Sequence, residues 1–119
     1  MAKELTLSAS LKFTKGSVNI SQARSGVQLD VAGDDFVTQT QTVGVTEEAL
    51  DLGDLGTLGY VLIRNLDTTN FVSVRSGTGA ANLVRVPAGG IALFMLASAA
   101  PFVIANTAAV KIEYTMIEA

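Results

Sequence analysis

The sequence lacks cysteine, histidine and tryptophan, and it contains only two prolines. Without cysteine the chain can form no disulfide, no thiol nucleophile and no cysteine-ligated zinc site. Without histidine it lacks the usual base of a serine or cysteine triad and the commonest metal ligand. These absences exclude most hydrolase schemes and leave paired carboxylates as the catalytic route to consider. We expect no cofactor.

Positive charge and long apolar runs are also scarce. The 119 residues carry 8 Lys and Arg against 11 Asp and Glu, a net charge of -3, which disfavours nucleic acid as a partner. The most apolar window, residues 90–105, is shorter than the ~20 residues of a spanning helix, and Ser98 and Pro101 interrupt it. We therefore expect it to belong to a core and not to a membrane. No apolar segment follows Lys3, so we expect no secretion signal and synthesis in the cytosol.

Apolar residues make up 49% of the chain, and glycine occurs 11 times. This composition is typical of a folded protein, and 119 residues suffice for one domain with its own core. We therefore expect a single domain over residues 1–119, in which residues 1–15 form an N-terminal strand or arm.

Alternation of apolar and polar residues is the main structural signal. It is complete over residues 4–13, which predicts a half-buried strand. It returns at Val18 and Ile20, where we leave open a short strand or a pinned loop. Residues 27–31 predict a further strand, ended by turn residues 32–35.

The middle of the chain predicts two more strands and a hairpin. Residues 36–45 indicate a strand with a wet threonine face. Residues 46–56 are ambiguous between a short helix and a short strand, and we prefer the strand. Over residues 59–74, the apolar run 60–63 indicates a strand covered on both faces, followed by a turn and a second strand, which together predict a hairpin.

The last third predicts a second hairpin, in which a turn at Pro87 joins residues 82–86 to residues 91–96. Two further strands follow, and the last one places Val110, Ile112, Tyr114 and Met116 on one inward face. Strand signals recur every ~8–12 residues without a long amphipathic helix. The sequence therefore predicts an all-β fold, an antiparallel β-sandwich of about 8–10 short strands.

Acidic residues are the only candidates for catalysis or for a calcium site. They are Asp34, Asp35, Glu47, Glu48, Asp51 and Asp54. Such residues are favoured in turns, so we prefer to interpret them as surface loop and cap residues. Calcium needs several oxygen ligands, and the EF-hand loop pattern is absent. The segment GTGAAN from Gly77 lacks the third glycine and the helix of a phosphate loop. We therefore predict no catalytic residue and no metal site.

The predicted interface residues are two leucines of the first strand and three arginines of later strands: Leu5, Leu7, Arg64, Arg75 and Arg85. The arginines either form a cationic patch for an acidic protein partner or are three separate solvated side chains. We prefer the second interpretation, because arginine commonly lays its apolar stem over a surface while its charge stays in water.

Residues 46–119 resemble a family of small structural proteins of tailed bacteriophages. The likeness is carried by EEALDLGDLGTLGYVLIRNLDTTNFVSV, LVRVPAGGIALFMLA and FVIANTAAVKIEYTMIEA. In that family an acidic-leucine segment, a Gly-aromatic strand, an RNLD turn and a Lys- and Glu-rich last strand follow one another. Here PAGG replaces the tighter Pro-Gly turn, and the resemblance does not extend to the first 45 residues.

The resemblance implies a jelly-roll-like sandwich in the virion, acting without catalysis as a capsid decoration (cement) protein. Its implied partner is the major capsid protein, and its implied assembly state is a homotrimer, with no nucleic acid and no membrane bound. Because a jelly roll brings its first and last strands together, we expect residues 4–13 to pair antiparallel with residues 110–117.

Two other functions are considered. The alternative is a receptor- or carbohydrate-binding sandwich of a phage tail or spike. Glycan sites use exposed aromatic side chains, whereas most of the five Phe and two Tyr stand at core-like positions in the predicted strands. The third function is an enzyme that acts through the carboxylates named above.

Overall fold

The computed structural model describes residues 2–95 and 100–119. Within this part, the chain forms ten strands in antiparallel sheets and no helix, which confirms the predicted fold class. Nowhere in it does a helix of the length and apolarity needed to cross a membrane occur. The chain divides into two compact units, Met1–Ala32 and Gly33–Ala119.

The first unit is a two-stranded ribbon made of β1 (Leu5–Lys15) and β2 (Val18–Leu29). The strands pair antiparallel from Leu5 with Leu29 to Lys15 with Val18. Strand β1 continues to Lys15, beyond the predicted residue 13. The segment around Ile20 and the predicted strand over residues 27–31 form one strand of 12 residues, which ends at Leu29 and leaves Val31 outside. We call this unit the ribbon.

A β-bulge explains why the sequence of β2 looks like two separate segments. Leu7 pairs with Val27 and Ala9 with Arg24, so two residues of β2 stand opposite one of β1. One of the two is Gly26, whose φ of 68° suits glycine and few other residues. The extra residue shifts the alternation by one position. The apolar residues on both sides of the bulge therefore share one face of the ribbon.

The second unit is a sandwich of two four-stranded antiparallel sheets. One sheet has the order β3 (Phe36–Val43), β10 (Val110–Glu118), β5 (Leu58–Asn65), β8 (Ile91–Met95). The other has the order β4 (Glu48–Ala49), β9 (Phe102–Ala105), β6 (Val72–Arg75), β7 (Asn82–Val86). The pairing is nested: β3 pairs with β10, β4 with β9, β5 with β8, and β6 with β7.

The core of the sandwich is made of buried side chains from both sheets: Val43, Leu50, Leu58, Val61, Ile63, Val72, Val74, Val86, Val103, Ala105, Val110, Ile112, Tyr114 and Met116. Strand β10 contributes four of them at alternate positions, as the sequence predicts. Every buried side-chain nitrogen and oxygen of the described residues has a hydrogen-bond partner. No polar side-chain atom buried in the described part of the interior is therefore left without a partner.

The expected pairing of residues 4–13 with residues 110–117 is wrong. Strand β10 pairs with β3 on one side and with β5 on the other, so neither of its edges is open to β1. Strand β1 pairs with β2 instead. The neighbour of the last strand is β3, the first strand of the sandwich.

Both predicted hairpins are also wrong. Strands β5 and β6 lie in different sheets, as do β7 and β8, so residues 66–71 and 87–90 cross between sheets. A turn does form here, but Pro87 is its first residue and not the predicted second one, since Gly90 N–H donates to the Pro87 carbonyl at 2.8 Å. Turn residues favour the same local backbone conformations in a hairpin and in a connection between two sheets. Leu96, the predicted end of the second hairpin, lies outside the described residues.

Two burial predictions need correction. Leu62 is 45% exposed between buried Val61 and Ile63, so the run 60–63 is covered on one face only. In the window 90–105, Val103 and Ala105 belong to the core, whereas Ile91, Leu93 and Met95 are exposed and residues 96–99 lie outside the described part. The ambiguous segment 46–56 contains the short strand β4 and no helix.

Candidate functional site

The candidate carboxylates are held by turns and loops of the sandwich. Glu47 pairs with the guanidinium of Arg75 at 2.6 Å and accepts the N–H of Gly79. Glu48 accepts a hydrogen bond from the amide of Gln41 at 3.0 Å. The N–H of Gly53 lowers the pKa of Asp51, with a further contribution from the side chain of Gln39. Glu47 and Asp51 thus accept backbone N–H groups of loops, in line with the surface-turn interpretation, whereas Glu48 contacts another side chain.

Three carboxylates do approach one another at the exposed end of β10. Oxygens of Asp34, Asp35 and Glu118 lie within 4.8 Å of each other. The Glu118 carboxylate accepts the N–H of Gly56 at 2.8 Å and the N–H of Asp34 at 3.3 Å. Its role is therefore to fasten two loops to the last strand. This grouping could not be predicted from the sequence, since Glu118 is more than 80 positions away from its two neighbours.

The three arginines do not form one patch. Arg64 lies on the exposed face of β5, opposite Glu113 of β10. Arg75 is engaged by Glu47, and its Nε donates to Asn82 at 2.7 Å. Arg85 lies over the ring of Phe71, 4.2 Å from its centroid. Because two of the three have partners and the third lies in the other sheet, they are separate surface side chains.

The sequence did not predict a set of hydrogen-bonded polar side chains at the edge of the core. The Tyr114 hydroxyl accepts a hydrogen bond from Gln39 at 2.5 Å and donates to the Asp51 carbonyl at 2.9 Å. Burial raises the pKa of Tyr114. The signal was present in β3, where Gln39 and Gln41 are in phase with the inward-facing Val37 and Val43. The group joins β3 and β10 to the segment that follows β4.

One face of the ribbon is largely apolar, although it also carries Lys15, Gln22 and Arg24. Partners in an antiparallel ladder share a face, and the pairs Leu5–Leu29, Leu7–Val27 and Phe13–Ile20 are apolar on both strands. The opposite face carries polar pairs such as Thr14–Asn19 and Lys12–Ser21. The predicted interface residues Leu5 and Leu7 are half-buried, whereas Leu11 is 67% exposed. We define the ribbon face as the exposed members of this side: Leu11, Phe13, Val18, Ile20 and Val27.

The sandwich presents a second exposed apolar surface, on the outside of the sheet β3-β10-β5-β8. Its outward positions alternate with the core positions of the same strands. Leu62 stands opposite Leu93, and Tyr60 stands opposite Met95. We define the outer patch as the exposed large apolar side chains of this surface: Phe36, Leu62, Ile91, Leu93 and Met95. No pattern in the sequence separated them from core residues.

The aromatic residues do not lie where the sequence placed them. Phe13 and Phe36 are exposed, at 49% and 70%, and the other three Phe are half-buried. Of the two tyrosines, only Tyr114 belongs to the core. The expectation that most of these side chains occupy core positions is therefore wrong. The core is built mainly from valine and isoleucine.

The candidate site is thus a pair of exposed apolar surfaces on otherwise well-satisfied β-structure. Comparison of the chain with protein-family models, with curated proteins and with solved structures gave no match.

Proposed function

We propose that the chain is a virion structural protein, a capsid decoration (cement) protein that binds and stabilises the capsid lattice of a tailed phage. The observation that carries the proposal is the exposed apolar surface of the ribbon face, which lies on a strand pair without a core of its own. Large exposed apolar patches mark sites of protein or ligand contact. The ribbon face extends along two strands, which suits contact with another macromolecule.

The sandwich suits such a role because it is rigid and closed. Its buried polar atoms are satisfied within the described residues, and the carboxylates of Glu47 and Glu118 accept backbone N–H groups of loops. A lattice protein needs many weak contacts and no catalysis, since placement on a repeating lattice multiplies them by avidity. The major capsid protein is the partner proposed, and the virion is the proposed location after synthesis in the host cytoplasm.

We also propose that the sandwich is a jelly roll. The nested pairing of β3 with β10, β4 with β9, β5 with β8 and β6 with β7 supports this topology. Such nesting results when one long antiparallel ribbon of eight strands rolls into two sheets. Under this proposal the residues before Phe36 are an addition to the roll.

Co-sedimentation of the purified chain with capsids that lack it tests the decoration proposal. We expect saturable binding at a fixed copy number per particle and a gain in the heat resistance of the particles. Asp51→Ala combined with Asp54→Ala should bind as the wild type does, because these residues lie in a surface loop. Arg64→Glu should bind more weakly, because Arg64 is one of the predicted interface residues. Absence of binding to any particle would refute the decoration role.

A receptor- or carbohydrate-binding module remains the second candidate, and one observation favours it. Phe36 is 70% exposed on the outer patch, and exposed aromatic side chains suit the stacking of sugar rings. A glycan array decides between the two. Specific hits that Phe36→Ala abolishes would support this module, and an array without hits would remove the candidate.

A further inference from the structure

We propose that the ribbon face binds the outer patch of a second copy of this chain. The inference concerns the purified protein in solution, where no capsid subunit competes for the ribbon face. In that state both exposed apolar surfaces belong to one contact between copies, which a capsid subunit that binds the ribbon face would have to displace.

The ribbon cannot be stable through its own contacts. An isolated two-stranded hairpin is at best marginally stable in water. All residues of β1 and β2 except Leu5, Leu7 and Leu29 are exposed. The ribbon pairs through its backbone over its full length, yet it buries almost no apolar side chain. A surface that covers its apolar face would supply the missing stabilisation.

The outer patch offers a surface of matching chemistry. It is a group of exposed apolar side chains on one face of a sheet, beside Arg64, and the ribbon face is another such group, beside Gln22 and Arg24. Two sheets pack face to face when apolar side chains interdigitate at about 10 Å separation. One copy's ribbon on another copy's sheet would therefore extend the layered packing already present in the sandwich.

The two units carry opposite net charge. The unit Met1–Ala32 has four basic and two acidic residues, a net charge of +2. The unit Gly33–Ala119 has four basic and nine acidic residues, a net charge of -5. Opposite charge steers the ribbon of one copy toward the sandwich of another, whereas two ribbons repel each other. This asymmetry favours a ribbon-to-sandwich contact over a ribbon-to-ribbon contact.

The area indicates that the contact has to be repeated. A strand pair of 11 residues is ~37 Å long and ~10 Å wide, a footprint of about 370 Å². Stable interfaces bury about 800 Å² per partner. One ribbon on one patch falls short, but a closed assembly in which each copy both gives a ribbon and receives one doubles the area to about 740 Å². The expected product is therefore a closed oligomer and not a chain of copies.

Sedimentation velocity over a concentration series tests the proposal. We expect the wild-type chain to form a single oligomer of defined mass. Phe13→Asp with Ile20→Asp places two charges on the ribbon face at a directly opposed pair. Burial of each such side chain contributes about tenfold to a hundredfold to association. The dissociation constant should therefore rise at least about 100-fold.

The matched control is Thr14→Asp with Asn19→Asp, the next opposed pair of the same ribbon on its polar face. It adds the same charge one position away, and it should leave the oligomer intact. Leu62→Asp with Leu93→Asp disrupts the outer patch at an opposed pair. This variant should also be monomeric. Thermal unfolding of each variant confirms that the sandwich is folded.

Mixing the ribbon-face variant with the outer-patch variant identifies the geometry. Each retains the surface that the other lacks, so the mixture can form one ribbon-to-patch contact, about half the area of the closed assembly. Weak association at high concentration, which neither variant shows alone, is therefore expected, and the wild-type oligomer should not form. A monomeric wild-type chain at ~100 µM would overturn the proposal, because that concentration lies well above the dissociation constants of specific complexes. An outer-patch variant that still associates would overturn it too, in favour of contact between ribbons. Equal loss in the Thr14 and Asn19 control would show a charge effect and would likewise contradict it.

Discussion

Ile112→Ala is expected to lower the free energy of unfolding of the sandwich by about 2–5 kcal/mol, the usual range for an isoleucine truncated in a core. Ile112 is fully buried and lies in β10, which pairs with strands on both sides. The vacated space cannot close easily, because the neighbouring strands fix the backbone. The loss combines the transfer free energy of the removed carbons with the cost of the cavity.

Ile91→Ala is the matched control for this prediction. The same atoms are removed from the same sheet, but Ile91 is 68% exposed. Its effect on the free energy of unfolding should stay within about 0.5 kcal/mol. Urea unfolding of both variants, measured at a concentration where the chain is monomeric, provides the comparison. Equal losses in the two variants would contradict the assignment of inner and outer faces to this sheet.

Asn65→Ala should destabilise the sandwich by about 2–4 kcal/mol, since each buried group left without a partner costs about 1–3 kcal/mol. The Asn65 amide donates to the carbonyls of Val86 and Asn70, both at 3.0 Å, and its oxygen accepts the N–H of Asp67 at 2.8 Å. The side chain thus joins the end of β5 to β7 in the other sheet. Alanine leaves all three backbone groups without this partner.

The turn that Asn65 supports has a second anchor. The N–H groups of Asn70 and Thr69 donate to the Asp67 carboxylate and lower its pKa. Asn106→Ala is the control for Asn65→Ala, because the Asn106 side chain is exposed and the residue joins the fold through its backbone N–H. Thermal unfolding should show a marked fall in Tm for Asn65→Ala and little change for Asn106→Ala. Similar Tm values for the two variants would contradict the bridging role of Asn65.

The strands could be predicted from the sequence because alternation is a local property. In β10 the apolar residues at every second position faced the core as expected, and β3 kept its wet threonine face. Backbone pairing and burial act on each strand in the same way, whatever its neighbours are. Fold class follows from such repeated local signals.

The connections could not be predicted, because the same turn chemistry serves a hairpin and a crossing between sheets. Asn65, Asp67 and Pro87 are turn residues in both cases. Strand β6 cannot pair with β5, because both edges of β5 are already paired, with β10 and with β8. It therefore lies in the other sheet. That is a long-range property, which no window of the sequence contains.

The ribbon could be predicted from the sequence only in part, for a different reason. The bulge at Gly26 shifts the alternation in β2, so a period-two pattern breaks within one continuous strand. The apolar residues of β1 also looked like core residues, because alternation shows that a strand has two unlike faces but not whether the apolar one is covered. The exposure of the outer-patch residues could not be predicted from the sequence for the same reason.

We expect the sandwich to be stable by itself and the ribbon to be stabilised by what it binds. Hydrogen exchange of the full chain at low and at high concentration measures this difference in stability directly. Amides of β10 should be strongly protected at both concentrations, because both edges of the strand are paired. Amides of β1 and β2 should exchange rapidly in the dilute chain and become protected on association. Ribbon amides as protected as those of β10 in the dilute monomer would contradict the account.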